Sequence, residues 1–180
     1  WTRYLLAGKR ADYPGDIAVG MDGGVYVAAT RAWRAGDSDE VFGGTLTLFS
    51  LTSDGGIGWR RSIGGTGLTR AERLAPAPGG GIIVAATTHD DLGGRNQGDE
   101  DVALVRYDAA GSQRWITILG GADGDRVTGL TVSGDSVFVS GITESPRFAG
   151  SVNSGNTDLF AARLGLDRAT EQVALGLAAA

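Results

Sequence analysis

The chain has no cysteine and only one histidine, His89, among its 180 residues. Disulfide bonds and thiolate metal sites are therefore excluded, and the redox state of the compartment cannot be inferred. No apolar run approaches the ~20 residues that a membrane helix requires, so no membrane insertion is predicted. Aromatic residues make up only 7% of the chain. A core must therefore consist of Val, Leu, Ile and Ala with a few tryptophans.

Basic charge is also scarce, with 16 Lys and Arg against 21 Asp and Glu. The basic residues are scattered, whereas nucleic acid binding needs a concentrated basic patch. Nucleic acid is therefore not a predicted partner. Glycine, in contrast, is abundant at 31 residues. It lies between apolar runs without the every-third spacing of collagen, which predicts an all-β protein with many tight turns.

The sequence contains three copies of one pattern, each about 57 residues long. Trp1, Trp59 and Trp115 occupy equivalent positions in the three copies, since each begins a predicted strand that ends at glycine. A short apolar strand and a hairpin turn rich in Gly and Asp follow. The returning strand is the clearest match between copies, at Val25 to Thr30, Ile82 to Thr87 and Val137 to Ile142.

Each copy then has a polar loop followed by a strand that is apolar on both faces. The predicted loops are Arg31 to Gly44, Thr88 to Glu100 and Thr143 to Thr157, and the strands are Leu46 to Leu51, Val102 to Tyr107 and Leu159 to Leu164. A strand that is apolar on both faces is covered on both sides. This pattern predicts four-stranded antiparallel blades that pack between neighbouring blades.

We therefore predict three β-propeller-type repeats, at about 1–58, 59–114 and 115–166, and a non-repeat tail at 167–180. The tail has an N-cap candidate in Asp167 and favours a short helix at Ala169 to Leu175. The stretch Asp101 to Val139 is expected to span a junction between units. Its first strand would close one unit, and the strand of Trp115 would open the next.

The repeat resembles the bacterial β-propeller repeat family known as SBBP repeats. The resemblance lies in the strand Asp101 to Asp108, in Trp115, in the pair Gly120-Gly121 and in the run Met21 to Val27, and it extends to Leu166. The second copy departs from the pattern with two prolines and three glycines around its hairpin. The resemblance implies four-stranded blades in an extracellular or envelope-associated bacterial protein.

Three blades are too few for a ring, because propellers typically close with four to eight. There are three alternatives: a longer protein with more blades, a ring formed by several chains, or an open arc of blades held by other domains. We favour a longer protein, because Trp1 begins in the middle of a unit.

The sequence contains no strong catalytic, phosphate-binding or metal-binding motif. The segment Asp54 to Trp59 resembles an Asp-box, a structural hairpin, and Gly64 to Gly67 and Gly79 to Gly81 lack the Lys-Ser/Thr of a phosphate loop. His89 has no nucleophile motif beside it and is expected in a solvated loop. Three acidic clusters lack the twelve-residue spacing of an EF-hand calcium loop and are interpreted as solvated loops rather than calcium sites: Asp37 to Glu40, Asp99 to Asp101 and Asp123 to Asp125. No catalytic residue, cofactor or metal is predicted.

Trp33 is the tryptophan without a repeat partner, and it is flanked by Arg31 and Arg34. Trp and Arg are enriched in protein interfaces, so these three residues form the predicted protein contact. We predict a non-catalytic scaffold and interaction module, on the cell surface or outside the cell, in an appendage such as the flagellum. Its partners would be proteins or further blades within a larger assembly. The alternative is part of a polysaccharide-active propeller enzyme with its site in the loops.

Overall fold

In a computed structural model of the chain, all regular elements among the described residues are β-strands. The described residues are 1–6, 11–34, 41–153 and 155–167, and no helix occurs among them. The strands are β1 Ala11–Val19, β2 Val25–Arg34, β3 Val41–Leu51, β4 Ile57–Ile63, β5 Thr69–Pro76, β6 Ile82–Thr88, β7 Asp101–Tyr107, β8 Gln113–Leu119, β9 Asp125–Ser133, β10 Ser136–Thr143, β11 Arg147–Phe148, β12 Ser151–Val152 and β13 Asp158–Gly165. The all-β class is confirmed. The predicted helix at Ala169 to Leu175 lies outside the described residues.

The strands form three successive antiparallel sheets and one small hairpin. The first sheet is β1-β2-β3-β4, the second is β5-β6-β7-β8, and the third is β9-β10-β13. The prediction of four strands is met in the first two sheets. The third has only three among the described residues, and its polar loop contains the unexpected hairpin β11-β12. Among the described strands, β13 therefore pairs only with β10, whereas β3 and β7 have a neighbour on each side.

In each of the two four-stranded sheets, the strand that carries the tryptophan is the last strand of the sheet. Trp115 lies on β8 and faces Arg106 of β7, so the expectation that Trp115 opens the next unit is wrong. The tight turn after β7 is the reason: Gly111, at φ +76°, donates its N–H to the carbonyl of Asp108 over 2.9 Å. Such a turn folds β8 back onto β7. The boundary between sheets falls between Leu119 and Asp125, inside the predicted junction stretch.

The two cores lie between successive sheets. One contains Tyr26, Leu48, Val84, Val105 and Tyr107, all buried, from the first and second sheets. The other joins the second and third sheets through the buried residues Ile83, Val102, Leu104, Val137, Phe148 and Phe160. The second sheet is thus covered on both faces, as its apolar strands predict. Since β3, β7 and β13 share that pattern, we expected the same for β13.

The third sheet contradicts that expectation. Leu159 on β13 is 76% exposed, and Ala161 and Arg163 on the same face are exposed too. No further sheet among the described residues covers this face. The predicted loop Arg31 to Gly44 is also too long, because β2 continues to Arg34 and β3 starts at Val41. There Trp33 pairs with Gly43, and Thr45 with Arg31, which extends the ladder.

Candidate interaction surfaces

One contact recurs between successive sheets and involves the tryptophans. The indole N–H of Trp59 donates to the carbonyl of Ala109 over 3.0 Å, and that of Trp115 donates to the carbonyl of Leu166 over 2.8 Å. Trp1 makes the same bond to the carbonyl of Ser53 over 2.9 Å. Each acceptor lies just after the third strand of the following sheet. The tryptophan at the end of one sheet therefore docks on the next.

The docked ring needs a glycine beneath it. A Cβ placed on Gly111 would lie 2.6 Å from the ring of Trp59, and one on Gly55 would lie 2.6 Å from the ring of Trp1. Arg61 strengthens the first contact, because its Nε donates to the carbonyl of Gly111 over 2.6 Å. Its guanidinium lies 5.5 Å from the centre of the Trp59 ring. These contacts hold adjacent sheets in one alignment.

Trp59 and Trp115 are both half-buried, as expected of equivalent positions, whereas Trp1 is 67% exposed. Residues 1–6 belong to none of the described strands. Trp1 therefore reaches the turn of the first sheet without belonging to a sheet itself. The sequence does not reveal which carbonyls accept these bonds, because backbone atoms carry no residue signature.

Exposed apolar side chains lie at both ends of the three-sheet stack. The outer face of the first sheet, the first-sheet face, carries Ile17 at 65% exposure and Val19 at 63%, although Phe49 and Leu51 on the same face are buried. The opposite end, the third-sheet face, carries Leu159 and the half-exposed Phe138. An open groove of about 400 Å³ follows the third-sheet face between Gly129 and Arg163. Exposed apolar patches of this kind mark contact surfaces.

The predicted contact residues lie at the first of these ends. Arg31 and Trp33 alternate with the buried Ala32 and Thr30, so they share the first-sheet face. Arg31 lies 3.8 Å from Asp12, from Nε to Oδ1. Trp33 is half-buried, and a Cβ on Gly43 would lie 2.7 Å from its Nε1. The Arg34 side chain lies outside the described part of the structure. A role in protein contact stays a prediction for all three.

A charged network at the loop edge centres on Glu100, a buried residue. Arg126 donates to Glu100 from Nε, and Arg70 approaches it to 3.3 Å. His89 lies 3.8 Å from Glu100 and 3.5 Å from Asp99, measured from Nε2 to the carboxylate oxygens. His89 is exposed, in agreement with a loop histidine. Its carboxylate neighbours are eleven or fewer residues away in sequence, but only the fold of the loop brings them together.

Two buried carboxylates connect the second and third sheets. Burial, followed by the nearby Asp125 charge, raises the pKa of Asp101 to about 6, although the Gln97 N–H donates to it over 2.7 Å. Burial also raises the pKa of Asp125, which accepts bonds from the Gly121 N–H and from Ser145. Each keeps one carboxylate oxygen, Oδ1, without a hydrogen-bond partner among the described residues. Both residues belong to acidic clusters that the sequence predicts to be solvated loops, and for these two residues that prediction is wrong because they are buried.

Asp90 occupies a different environment. Burial alone would raise its pKa, but bonds from the Gly65 and Gly67 N–H groups and from Thr69 lower it. Asp90 therefore ties the connection between the first two sheets to the loop after β6. The predicted turn at Gly64 to Gly67 is held by this carboxylate, which is a structural role.

The remaining acidic side chains of the described residues form no grouped metal ligands. Within residues 1–6, 11–34, 41–153 and 155–167, no three His, Asp or Glu side chains are grouped to hold a metal ion. The cluster Asp37 to Glu40 lies outside the described residues. Asp99, Asp123 and Glu144 line an open polar depression of about 520 Å³. No pair among them is singled out as the catalytic carboxylates that a polysaccharide-active enzyme would need.

These observations define an all-β protein of stacked antiparallel sheets with exposed apolar side chains at each end. No protein-family model matches the chain. It is similar to the regulatory protein FlaEY of Caulobacter vibrioides, at 28% identity over 166 residues. The similar region covers 82% of this chain and 17% of FlaEY, so the chain spans a small part of that relative's length.

Among solved structures, the chain is similar to a mutant of Synechocystis apocarotenoid oxygenase, with a TM-score of 0.51 and 14% identity. The similarity covers 96% of this chain and 40% of the oxygenase. It contradicts the prediction that the chain is not an enzyme, because an enzyme has this arrangement of sheets. The similarity concerns the fold and assigns no reaction. No helix in the described part of the chain is long and apolar enough to span a membrane.

Proposed function

We propose that the chain is a β-propeller segment of a flagellum-related bacterial protein, in which it serves as a scaffold and protein interaction module. The observation that carries the proposal is the set of exposed apolar side chains at both ends of the stack, Ile17 and Val19 at one end and Leu159 at the other, while the central strands of the middle sheet are covered on both faces. Similarity to FlaEY supports the connection with the flagellum. The resemblance to SBBP repeats supports blades and a location at the cell surface.

The stack supports an interaction role because each sheet docks on the next through the same tryptophan contact. A module built in this way presents a first-sheet face and a third-sheet face to whatever adjoins it. Side chains such as Ile17 and Leu159 would be covered by that neighbour. Burial of exposed apolar area is the main favourable term in protein association.

The proposal is tested in the source bacterium with a charge on one face. We expect Leu159→Lys in the full-length gene to reduce swimming motility while the cellular amount of the protein stays unchanged. Met21→Lys is the matched control, because Met21 is 70% exposed in the turn between β1 and β2, away from that face. Normal motility in the Leu159 variant would contradict the flagellar role. Protease treatment of intact cells tests the proposed location, since a surface segment is cleaved without lysis.

A further inference from the structure

Polar side chains are buried at the loop edge of each junction between successive sheets. In the first junction, between the first and second sheets, both oxygens of the Asp90 carboxylate are bonded. Its Oδ1 accepts the Gly67 N–H over 2.7 Å, and its Oδ2 accepts the Gly65 N–H and the Thr69 hydroxyl, each over 2.9 Å. One carboxylate therefore has three donors in the first junction.

In the second junction, between the second and third sheets, the carboxylate and the hydroxyl are exchanged. Asp125 begins β9 as Thr69 begins β5. Ser145 follows β10 at the position that Asp90 has after β6. Oδ2 of Asp125 accepts the Gly121 N–H over 2.7 Å and the Ser145 hydroxyl over 2.9 Å. Its Oδ1 has no hydrogen-bond partner among the described residues, so this carboxylate is bonded less completely than Asp90.

Asp101 brings a second carboxylate into the second junction. A Cβ on Gly64 would meet the Thr45 side chain of β3, and one on Gly120 would meet the Asp101 carboxylate of β7. Asp101 thus occupies the place of Thr45. It is fully buried and accepts the Gln97 N–H over 2.7 Å at Oδ2, while its Oδ1 also lacks a hydrogen-bond partner within the described chain. The second junction therefore contains two buried carboxylates where the first contains one.

The two carboxylates share Gly121 as a donor. Its N–H is bonded to Asp125 and also stabilises the ionised form of Asp101. Burial, followed by the charge of Asp125, raises the pKa of Asp101, and burial raises the pKa of Asp125. Ionisation of one carboxyl opposes ionisation of a close neighbour, so two such groups titrate as a coupled pair.

The arginines of β5 and β9 bind a different carboxylate. Arg126 donates from Nε to the buried Glu100, and Arg70 lies 3.3 Å from the same group. No ion pair in the described part of the chain joins Asp101 or Asp125 to a basic side chain. The other charged residues of the surrounding elements are His89, Asp99, Asp123, Glu144, Arg147 and Asp158. The pair is therefore left without a neutralising partner.

We propose that the second junction is a pH-sensitive latch, in which Asp101 and Asp125 hold one proton between them under mildly acidic conditions and release it to solvent near neutral pH. With the proton bound, one carboxyl is neutral and the third sheet is held against the second. Its loss leaves two buried negative charges at the first residues of β7 and β9. Their repulsion acts on the backbone bond from the Asp125 N–H to the Glu100 carbonyl, 2.6 Å long, which joins the two sheets.

The direction of the effect follows from the raised pKa of Asp101. Its stabilising contribution is complete below the ordinary value of 3.8 and is lost as the pH rises through about 6. The latch therefore closes on acidification and opens towards neutral pH. The first junction stays closed over this range, because the single carboxylate of Asp90 has three donors.

Hydrogen exchange at pH 5.0 and pH 7.5 tests the latch, with protection expressed relative to unstructured peptide at each pH. We expect protection at the start of β9 to fall at least tenfold, whereas the start of β5 changes less than twofold. Asp101→Asn should abolish the fall, and Asp125→Asn provides a second variant. His89→Gln is the matched control that should retain the fall, because histidine ordinarily changes charge in this range.

Carbon-13 NMR of the aspartate carboxyl groups measures the coupling directly. We expect the Asp125 signal to shift in two steps, one of them together with Asp101, and in a single step after Asp101→Asn. An Asp125 titration that is unchanged by Asp101→Asn, or an equal loss of protection at β5, would overturn the proposal. Recovery of protection at pH 7.5 on adding about 1 mM calcium chloride would identify a cation in place of the proton and would overturn it as well.

Discussion

At the scale of single residues, buried carboxylates separate into two kinds. Asp90 receives three hydrogen bonds, which hold its pKa below the ordinary value despite burial. Asp101 and Asp125 receive too few bonds to offset burial, so their pKa values are raised. An ionised group in this position costs stability at neutral pH.

Asp101→Asn is expected to stabilise the protein at neutral pH. In the folded state Asp101 keeps its proton up to about pH 6, while an ordinary Asp releases it near 3.8. Its favourable contribution is therefore complete below pH 3.8 and is lost as the pH rises through 6. Asparagine carries no charge and can still accept the Gln97 N–H. Urea unfolding should show a gain of up to about 3 kcal/mol at pH 7.5 and little gain at pH 4.

The neighbouring Asp99 provides the matched control, because its side chain is 71% exposed. Asp99→Asn should change stability little across the same range, since solvent screens surface charges. If the gain from Asp101→Asn were equal at pH 4 and pH 7.5, the raised pKa would not be its cause. The sequence could not predict this difference. Asp99 and Asp101 are two residues apart in one acidic cluster, and only the packing of β7 between two sheets separates them.

At the scale of strands and turns, the hairpins were the most predictable features. Glycine and aspartate between apolar runs located the turns after β3 and β7, and strands apolar on both faces correctly indicated that β7 is covered twice. The extension of β2 was missed because Arg31 and Arg34 made its end look like a loop. The exposed face of β13 was missed because local sequence does not specify which neighbour is present.

Gly111→Ala should destabilise the protein more than Gly79→Ala. Both glycines have positive φ, +76° and +78°, so alanine costs about 1–2 kcal/mol at either position through the backbone alone. At Gly79 a Cβ meets nothing within 4 Å, but at Gly111 it lies 2.6 Å from the Trp59 ring. Displacing the ring should add about 1–3 kcal/mol, as overpacking does elsewhere.

Urea unfolding of the two variants measures the difference. Tryptophan fluorescence gives an independent readout, because only the Gly111 variant should alter the environment of Trp59. Equal destabilisation by both substitutions would mean that the ring moves aside without cost. The tryptophan contact would then align the sheets less firmly than its geometry indicates.

At the scale of the whole molecule, the repeat period of the sequence predicted successive sheets but not their boundaries. The spacing of Trp1, Trp59 and Trp115 is the same wherever a unit is taken to begin. The boundaries between sheets follow from the backbone hydrogen bonds. These bonds make β4, which carries Trp59, and β8, which carries Trp115, the last strands of their sheets. The open faces depend in turn on the number of sheets. A repeat pattern predicts how each unit contacts the next and leaves the number of units undetermined.

Hydrogen exchange should be slowest in the second sheet. Amide protection follows burial and local contact density, and β6 and β7 are covered on both faces by the two cores. The face of β13 that carries Leu159, Ala161 and Arg163 is exposed, so the amides of β13 should exchange faster than those of β7. Mass spectrometry of peptides from β7 and β13 makes the comparison. The strands have similar lengths and equivalent positions in their sheets, so each is the other's control. Equal protection of β7 and β13 would contradict a stack whose middle sheet is covered and whose third sheet has an exposed face.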